Sequence, residues 1–574
     1  VLFGSAVAPG IGIGQAVVRL RGDLVISSLP IRDEDVAAEC ARFDAALSAV
    51  REDFLRLQAE LADAPSADPA LIVQSQLDLL NDPQIAHEPR ERIRRSRHNA
   101  AQALWEVWEE IRAIFADLDD AYIASRSADI RHLVTRILER LAGADDGADP
   151  APGSVVVVRE LAPDETVRLA RIPVAAFVCE EGSLASHTAI LARTLGIPAV
   201  MGVENATSRI AAGTRLIVDG RAGSVVIEPS RAALQRARRR RRIQQERFER
   251  LLAEVALPTV TPGPAPLRVT LAANIELPDE VPLALQHGAQ GIGLYRTEYL
   301  YLDREVPPSV DELTEHYRSV VRALGGRTVT FRTIDVGGDK LPRSIVLPVG
   351  RNPALGLRGV RFSLHQPALF DDQVRAILRA AATGPVRLML PLISGWHELD
   401  MARRRMAAVA ADEGVPLPPV GVMIETPASV AIVDLLCRDA DFLSLGTNDL
   451  VQYTLAIDRT DEHVAHLYTP LHPAILRMLR QVAETAAEAG TELSVCGEMA
   501  GDPLYVPILL GLGITHLSMA PPSIPAVAAL VRRLPAAEAR AAVQGALALL
   551  DPDDIERLLQ RFVAAHMGDL VASD

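Results

Sequence analysis

The spacing of apolar positions changes period twice along this chain. Residues 1–20 and about 151–229 carry short apolar runs broken by glycine and proline. Within them Val155-Val-Val-Val158, Ala175-Ala-Phe-Val178 and Arg215-Leu-Ile-Val218 predict buried strands. Between these regions, residues 33–142 place apolar side chains at helical spacing. The pattern predicts helices over Val36–Ala62, Pro69–Leu80, Gln84–Phe115 and Ala121–Leu141. A helical bundle inserted into an α/β domain through surface loops accounts for this order, with two independent neighbouring domains as the rival layout. Beyond residue 262 short apolar runs return at Arg268–Ala273, Gly291–Leu294, Thr328–Thr333, Arg387–Leu390, Val420–Ile424, Asp441–Leu445, Glu492–Val495 and His516–Met519. Helical patterns or long connections separate them, and that alternation predicts a (β/α)8 barrel.

The stretch Arg231–Glu254 between the two regions is highly charged and has no helix breaker. Arginines run from Arg236 to Arg242, which raises nucleic acid as a partner, but glutamates follow closely and favour a solvated linker helix. Pro258 to Pro266 marks a boundary. The net charge of −15 argues against nucleic-acid binding. No uncharged apolar run reaches membrane-spanning length, so no membrane insertion is expected. Cys40, Cys179, Cys437 and Cys496 are scattered, without the spacing of a zinc site or disulfide framework. A reducing, cytoplasmic setting is expected.

Candidate chemistry gathers at the predicted strand ends of the barrel. Arg296, Arg332, Glu425, Asn448-Asp449 and Cys496-Gly-Glu498 all fall at or just past them, the face on which barrel active sites are built. Arg296 and Arg332 present donor forks suited to phosphate or carboxylate, and Arg358 and Arg459 are weaker candidates for the same task. Lys340 is the only lysine in a chain that otherwise uses arginine. Its neighbours Arg332, Asp335, Gly337 and Gly338 suit a phosphorylated anion. Glu425 and Asp449, from successive strand ends, suit Mg2+, and helix capping is the alternative reading. Cys496 reads equally as a small buried hydrophobe or as a thiol that delivers a proton to carbon. In the first region, Gly182-Ser-Leu-Ala-Ser-His187 leads into an apolar-periodic helix. His187 is thereby placed near a helix N-terminus, as a nucleophile toward phosphorus or as a structural histidine.

Several long motifs in order carry a family resemblance over essentially the whole chain. They are Pro9-Gly-Ile-Gly-Ile-Gly, Ser186-His-Thr-Ala-Ile-Leu-Ala-Arg, Gly291-Ile-Gly-Leu-Tyr-Arg-Thr-Glu, Asp335-Val-Gly-Gly-Asp-Lys, Gly446-Thr-Asn-Asp-Leu-Val-Gln-Tyr-Thr, Asp458-Arg, His472-Pro and Cys496-Gly-Glu-Met. With them the chain resembles the bacterial phosphoenolpyruvate–protein phosphotransferases, enzyme I of the sugar phosphotransferase system. The wider group includes pyruvate phosphate dikinase and phosphoenolpyruvate synthase. The resemblance implies a swivelling phosphohistidine α/β domain over 1–29 and 144–229, and an inserted helical carrier-binding domain over 30–143. A linker helix over 230–261 and a phosphoenolpyruvate-binding and dimerising barrel over 262–574 complete the expected layout. It further implies that His187 is phosphorylated and that Arg296, Arg332, Lys340, Arg358, Asn448 and Arg459 hold phosphoenolpyruvate. Glu425 and Asp449 would bind Mg2+, and Cys496 would exchange the proton at the pyruvate methylene. A small histidine-containing phosphocarrier protein and a second copy of the chain are the implied partners.

Two departures stand out. Leu184 occupies the place of a basic residue in the common Gly-Gly-Arg-Thr-Ser-His form, and Asn352-Pro-Ala-Leu-Gly-Leu-Arg358-Gly replaces Asn-Pro-Phe-Leu-Gly-x-Arg-Ala. The first bears on which carrier is served. The alternatives are therefore a regulatory or multiphosphoryl system with a different carrier, or a non-catalytic phosphoenolpyruvate-sensing scaffold. A dikinase would need a nucleotide-grasping domain, and no segment here corresponds to one.

Overall fold

The computed structural model describes residues 1–8, 10–19, 31–61, 76–77, 79–116, 130–131, 133–138, 140–141, 150–159, 172–181, 192, 196–301, 306–336, 352–458, 464 and 467–568. They fall into two compact units, Val1–Gln245 and Glu246–Asp574.

In the first unit β1 (Leu2–Phe3), β2 (Ser5–Ala8), β3 (Ile11–Arg19), β4 (Val155–Val158), β5 (Ala176–Cys179), β6 (Ala199–Met201), β7 (Arg215–Asp219) and β8 (Ser224–Ile227) form one sheet. Its order is β1-β8-β7-β3-β4-β5-β6-β2. β3, β4, β5 and β6 run parallel; the other pairings are antiparallel. The Gly-Ile-Gly pattern of β3 has a steric cause. A Cβ on Gly12 would lie 2.4 Å from the Ala175 carbonyl oxygen, and one on Gly14 would lie 2.2 Å from that of Gly153. β1 and β2 end up at opposite ends of the strand order although only Gly4 separates them.

The helices Val36–Leu61, Pro83–Ala86, Glu88–Ser96 and Ala100–Ala116, with the helical stretches inside 130–141, bury a core of their own around Phe43, Phe54, Ile93, Leu104 and Leu133. It is separate from the sheet's cores. The helix expected over Gln84–Phe115 is broken twice. Pro89 lacks an N–H and cannot continue the turn before it. Arg97 takes a left-handed conformation that ends the next turn. Periodicity misses both breaks because the pieces bury the same face. Much of Pro69–Leu80 and Ala121–Leu141 lies outside the described residues.

The charged stretch forms one helix, Arg231–Ala253. Ala237 packs with Ile11 and Ile217 in the first unit, and Leu251 belongs to the core of the second.

That second core surrounds a closed barrel of β9 (Thr270–Ile275), β10 (Ile292–Arg296), β11 (Val329–Arg332), β12 (Val386–Leu390), β13 (Val420–Ile424), β14 (Phe442–Leu445), β15 (Glu492–Val495) and β16 (His516–Met519). Every neighbour is parallel, and β16 closes on β9. The (β/α)8 barrel expected from the apolar runs is therefore present, and β13, β15 and β16 begin and end where those runs do. Alternate residues divide between two environments. Leu388, Leu390, Val422, Leu443 and Val495 join the outer core, while Met389, Met423, Phe442 and Cys496 meet inside. Deeper inside, Arg387 reaches Glu492 with both terminal nitrogens, at 2.5 and 3.1 Å, and its Cζ sits 5.0 Å from the Phe442 ring centre.

β10 breaks this alternation. Between Ile292 and Leu294 it carries one residue more than β9 opposite it. The bulge leaves Leu294 in the inner cluster, Tyr295 in the outer core and Arg296 in register with Arg332. Only glycine fits at 293, where a Cβ would stand 2.4 Å from Ser518 Oγ.

Candidate active site

The cluster is assembled at the C-terminal mouth of the barrel. Arg296 and Arg332 are the last residues of adjacent strands. Glu425 follows β13, Asp449 lies in the first turn of the helix Thr447–Leu455 after β14, and Cys496 follows β15. Neither carboxylate is a helix cap. Thr426 caps the helix after β13, accepting from the Ser429 amide at 3.1 Å, and Gly446 precedes the helix that carries Asp449.

Asp335 is the hub. Its buried carboxylate is ion-paired with Arg332 Nη1 at 3.2 Å and accepts from Arg358 Nε at 3.1 Å and Arg358 Nη2 at 3.0 Å. The same Arg358 Nη2 reaches Asp449 Oδ2 at 3.0 Å, and its Nη1 reaches Tyr453 Oη at 3.1 Å. Glu298 Oε1 accepts from Arg332 Nη2 at 3.1 Å and from the Asp335 amide at 2.8 Å. Arg296 pairs with Glu276 at 2.7 Å. Burial disfavours the Arg332 charge, but Glu298 and Asp335 outweigh it and hold the guanidinium protonated. Burial likewise opposes ionisation of Asp335, and Arg332 and Arg358 overcome it, drawing that carboxyl below its ordinary range.

Glu425 has the opposite balance. Burial pushes its carboxyl well above the usual range, and Asp449 and Asp335 push it further. Ligand atoms of Asp335, Glu425 and Asp449 lie within 4.8 Å of one another. This all-oxygen donor set suits a hard divalent cation, whose charge would relieve the repulsion on Glu425. Asp335 already engages both oxygens with guanidinium donors, so Glu425 and Asp449 fit the cation best. Two backbone features seat Glu425. A Cβ on Gly446 would lie 2.8 Å from its Oε2. Leu392, buried, adopts φ +56°, a strained region for a branched residue, and its amide donates to Glu425 Oε1 at 2.6 Å. Nothing in the sequence signals Leu392.

Cys496 is buried, with its Sγ 3.6 Å from the Leu445 carbonyl oxygen. Burial pushes its thiol up to about 11, only partly countered by the neighbouring Ser444 hydroxyl, so it carries its proton at neutral pH. Asn448 and Glu498 hold each other, Nδ2 to Oε1 at 3.1 Å and the Glu498 amide to Oδ1 at 3.0 Å. Arg296, Arg332, Arg358, Glu425, Asp449 and Cys496 thus meet at one mouth, with Asn448 beside them. His187, Leu184, Lys340 and Arg459 lie outside the described residues. Sequence reasoning missed Glu276 and Glu298 as partners of the arginines. Their place beside strand ends was the available signal.

Three family models match successive parts of the chain: PEP-utilising enzyme, N-terminal, over residues 3–126; the mobile domain over 150–223; and the PEP-binding domain over 255–536. A phosphoenolpyruvate-protein phosphotransferase from Cupriavidus necator is 40% identical over 548 residues, covering 91% of this chain and 92% of its own. The chain belongs to the phosphoenolpyruvate-protein phosphotransferase family. The family's Staphylococcus carnosus member is 35% identical over 568 residues, covering 97% of this chain and 98% of its own. Among solved structures, Enzyme I (nEIt) in solution is 31% identical at a TM-score of 0.37, over 42% of this chain and 98% of its own. The N-terminal domain of Enzyme 1 - Nitrogen is 28% identical at 0.31, again over 42% of this chain and 98% of its own. As a family member the chain is an enzyme that transfers phosphoryl groups, and its barrel mouth lies inside the segment matching the PEP-binding domain.

Proposed function

We propose that this chain moves the phosphoryl group of phosphoenolpyruvate onto His187, releasing pyruvate, and then onto a histidine of a small phosphocarrier protein, as the first step of sugar phosphotransferase uptake. The observation that carries the barrel half of this reading is the cluster of guanidinium groups, carboxylates and a buried thiol at one mouth. Arg296, Arg332 and Arg358, with Asn448, Lys340 and Arg459, grip the phosphate and carboxylate of phosphoenolpyruvate. Glu425 and Asp449 hold Mg2+, which when bound neutralises charge on the transferring phosphoryl and enolate oxygens.

The chemistry balances in two steps. The bond from phosphorus to the enol oxygen breaks as a His187 nitrogen bonds to phosphorus. The enolate left behind takes the Cys496 thiol proton at its methylene carbon, giving pyruvate, and solvent reprotonates the thiolate. The working form is a cytoplasmic homodimer. Labelled phosphoenolpyruvate with Mg2+ should place an acid-labile, base-stable label on the protein together with pyruvate, and His187→Ala should abolish both. A label of the same stability retained by His187→Ala would sink the assignment. Passing the labelled protein to candidate carriers then identifies the acceptor.

A further inference from the structure

The peptide that carries the Cys496 thiol is held from two sides. On one side the Leu445 carbonyl at the end of β14 accepts both the Cys496 amide, at 3.1 Å, and its Sγ, at 3.6 Å. On the other side Asn274, the penultimate residue of β9, donates from Nδ2 to the Cys496 carbonyl at 2.8 Å. Asn274 Oδ1 in turn accepts from the Ser518 hydroxyl of β16 at 2.6 Å. Ser518 is buried against Gly293 at the β10 bulge, with no room for a larger neighbour there.

This chain of donors has one workable direction. Turning the Asn274 amide over would set Oδ1 against the Cys496 carbonyl, two acceptors facing each other, so the amide must offer its nitrogen there. Residue 497, which follows, is a glycine because a Cβ would stand 1.9 Å from Thr447 Oγ1. A glycine leaves the peptide after Cys496 little side-chain restraint of its own, and the Asn274 bond supplies it.

We propose that Asn274, held by Ser518, is a positioning residue that fixes the face from which Cys496 delivers its proton. The inference rests on the reading of Cys496 as the proton donor. An enolate is planar at its methylene carbon and can be protonated from either face. Single-faced delivery needs the thiol fixed against Leu445. Loss of the Asn274 bond leaves the Cys496 backbone anchored on its amide side alone, so the Cα that bears Sγ can shift against Leu445.

The test uses phosphoenolpyruvate with one methylene hydrogen replaced stereospecifically by deuterium, turned over by the full-length protein in tritiated water. The configuration of the resulting pyruvate methyl is then read. The parent should give one configuration. Asn274→Asp keeps the size and the acceptor for Ser518 but puts a carboxylate oxygen against the Cys496 carbonyl; Ser518→Ala removes only the hydroxyl behind the amide. Both should lower kcat by about tenfold, the size of one lost hydrogen bond, and yield a mixed methyl configuration with KM for phosphoenolpyruvate little changed. Asn274→Leu, which has no donor at all, should scramble the methyl at least as far. Cys496→Ala separates the two ideas. A single configuration surviving in Cys496→Ala would overturn the donor reading itself. A scrambled methyl in Cys496→Ala with a single configuration in both Asn274→Asp and Ser518→Ala would overturn the positioning role alone.

Discussion

At the scale of single residues the barrel mouth is an alternating ionic lattice. Glu276 faces Arg296, and Glu298, Arg332, Asp335, Arg358 and Asp449 follow in contact. Each described arginine of the site therefore has a carboxylate partner before any substrate anion arrives, which keeps the guanidinium groups aimed inward and their burial tolerable. Strand-end position alone placed Arg296, Arg332, Glu425, Asp449 and Cys496 at this face, because side chains leaving parallel strands converge there. It could not show which acids ligate and which orient arginines, since that depends on distances across the barrel. The Cys496 thiol gives this scale its prediction. As a donor it must be protonated, so the proton-transfer rate should hold through neutral pH and fall only as the thiol ionises toward about 11. An ordinary cysteine would ionise near about 8.5. Ultraviolet thiolate absorbance, compared between the parent and Cys496→Ser, reads the titration directly. A transition near the ordinary value would remove the argument that burial keeps the proton in place.

At the scale of elements, buried strands were the most legible part of the chain, because a continuous apolar run between polar turns has few other uses. The β10 bulge was not legible. A one-residue slip leaves the apolar run intact and changes only which side chains face inward. Where elements meet, His287 sets a pH-dependent contact. It ends the helix Glu280–Gln286, lies edge-on to Phe248 with ring centres 5.5 Å apart, and has no partner for Nδ1. Burial lowers its pKa, partly countered by a hydrogen bond with the Pro521 backbone. A depressed histidine is neutral when folded while the unfolded chain still takes up a proton. Its contribution is therefore complete above the ordinary value of about 6.5 and is lost progressively as pH falls below it. Thermal unfolding followed between about pH 7 and about pH 5 should show a smaller drop in Tm for His287→Gln than for the parent. Parallel curves would mean that His287 does not contribute.

At the scale of the molecule, the helical segment, the sheet and the barrel have distinct hydrophobic cores, and the chain divides into two compact units. Ligands of the barrel mouth should therefore stabilise one unit only. With Mg2+ held constant and phosphoenolpyruvate added at about a hundred times its dissociation constant, linkage adds about 2.7 kcal/mol to the unit that binds. Calorimetry should show one transition moving upward while the other stays. Two transitions moving together would instead indicate a single cooperative whole. The family was legible at this scale because its motifs recur in order along nearly the entire chain. The Asn274–Ser518–Cys496 connection was not, since its members are 222 and 244 positions apart and no local pattern joins them.

The seating of the first strands also dictates an order of events during synthesis. Residues 2–8 are made well before their partners, for β2 pairs with β6 at residues 199–201 and β1 pairs with β8 at residues 224–225. All of residues 9–198 must emerge before either pairing is available. The helices between 36 and 141, whose core is assembled from nearby segments, have their contacts to hand much sooner. The nascent chain therefore completes a helical insert while the sheet that hosts it is still open at both edges. During that interval β1 and β2 lack the strands they pair with in the finished sheet, and their backbone donors and acceptors stay open to other partners.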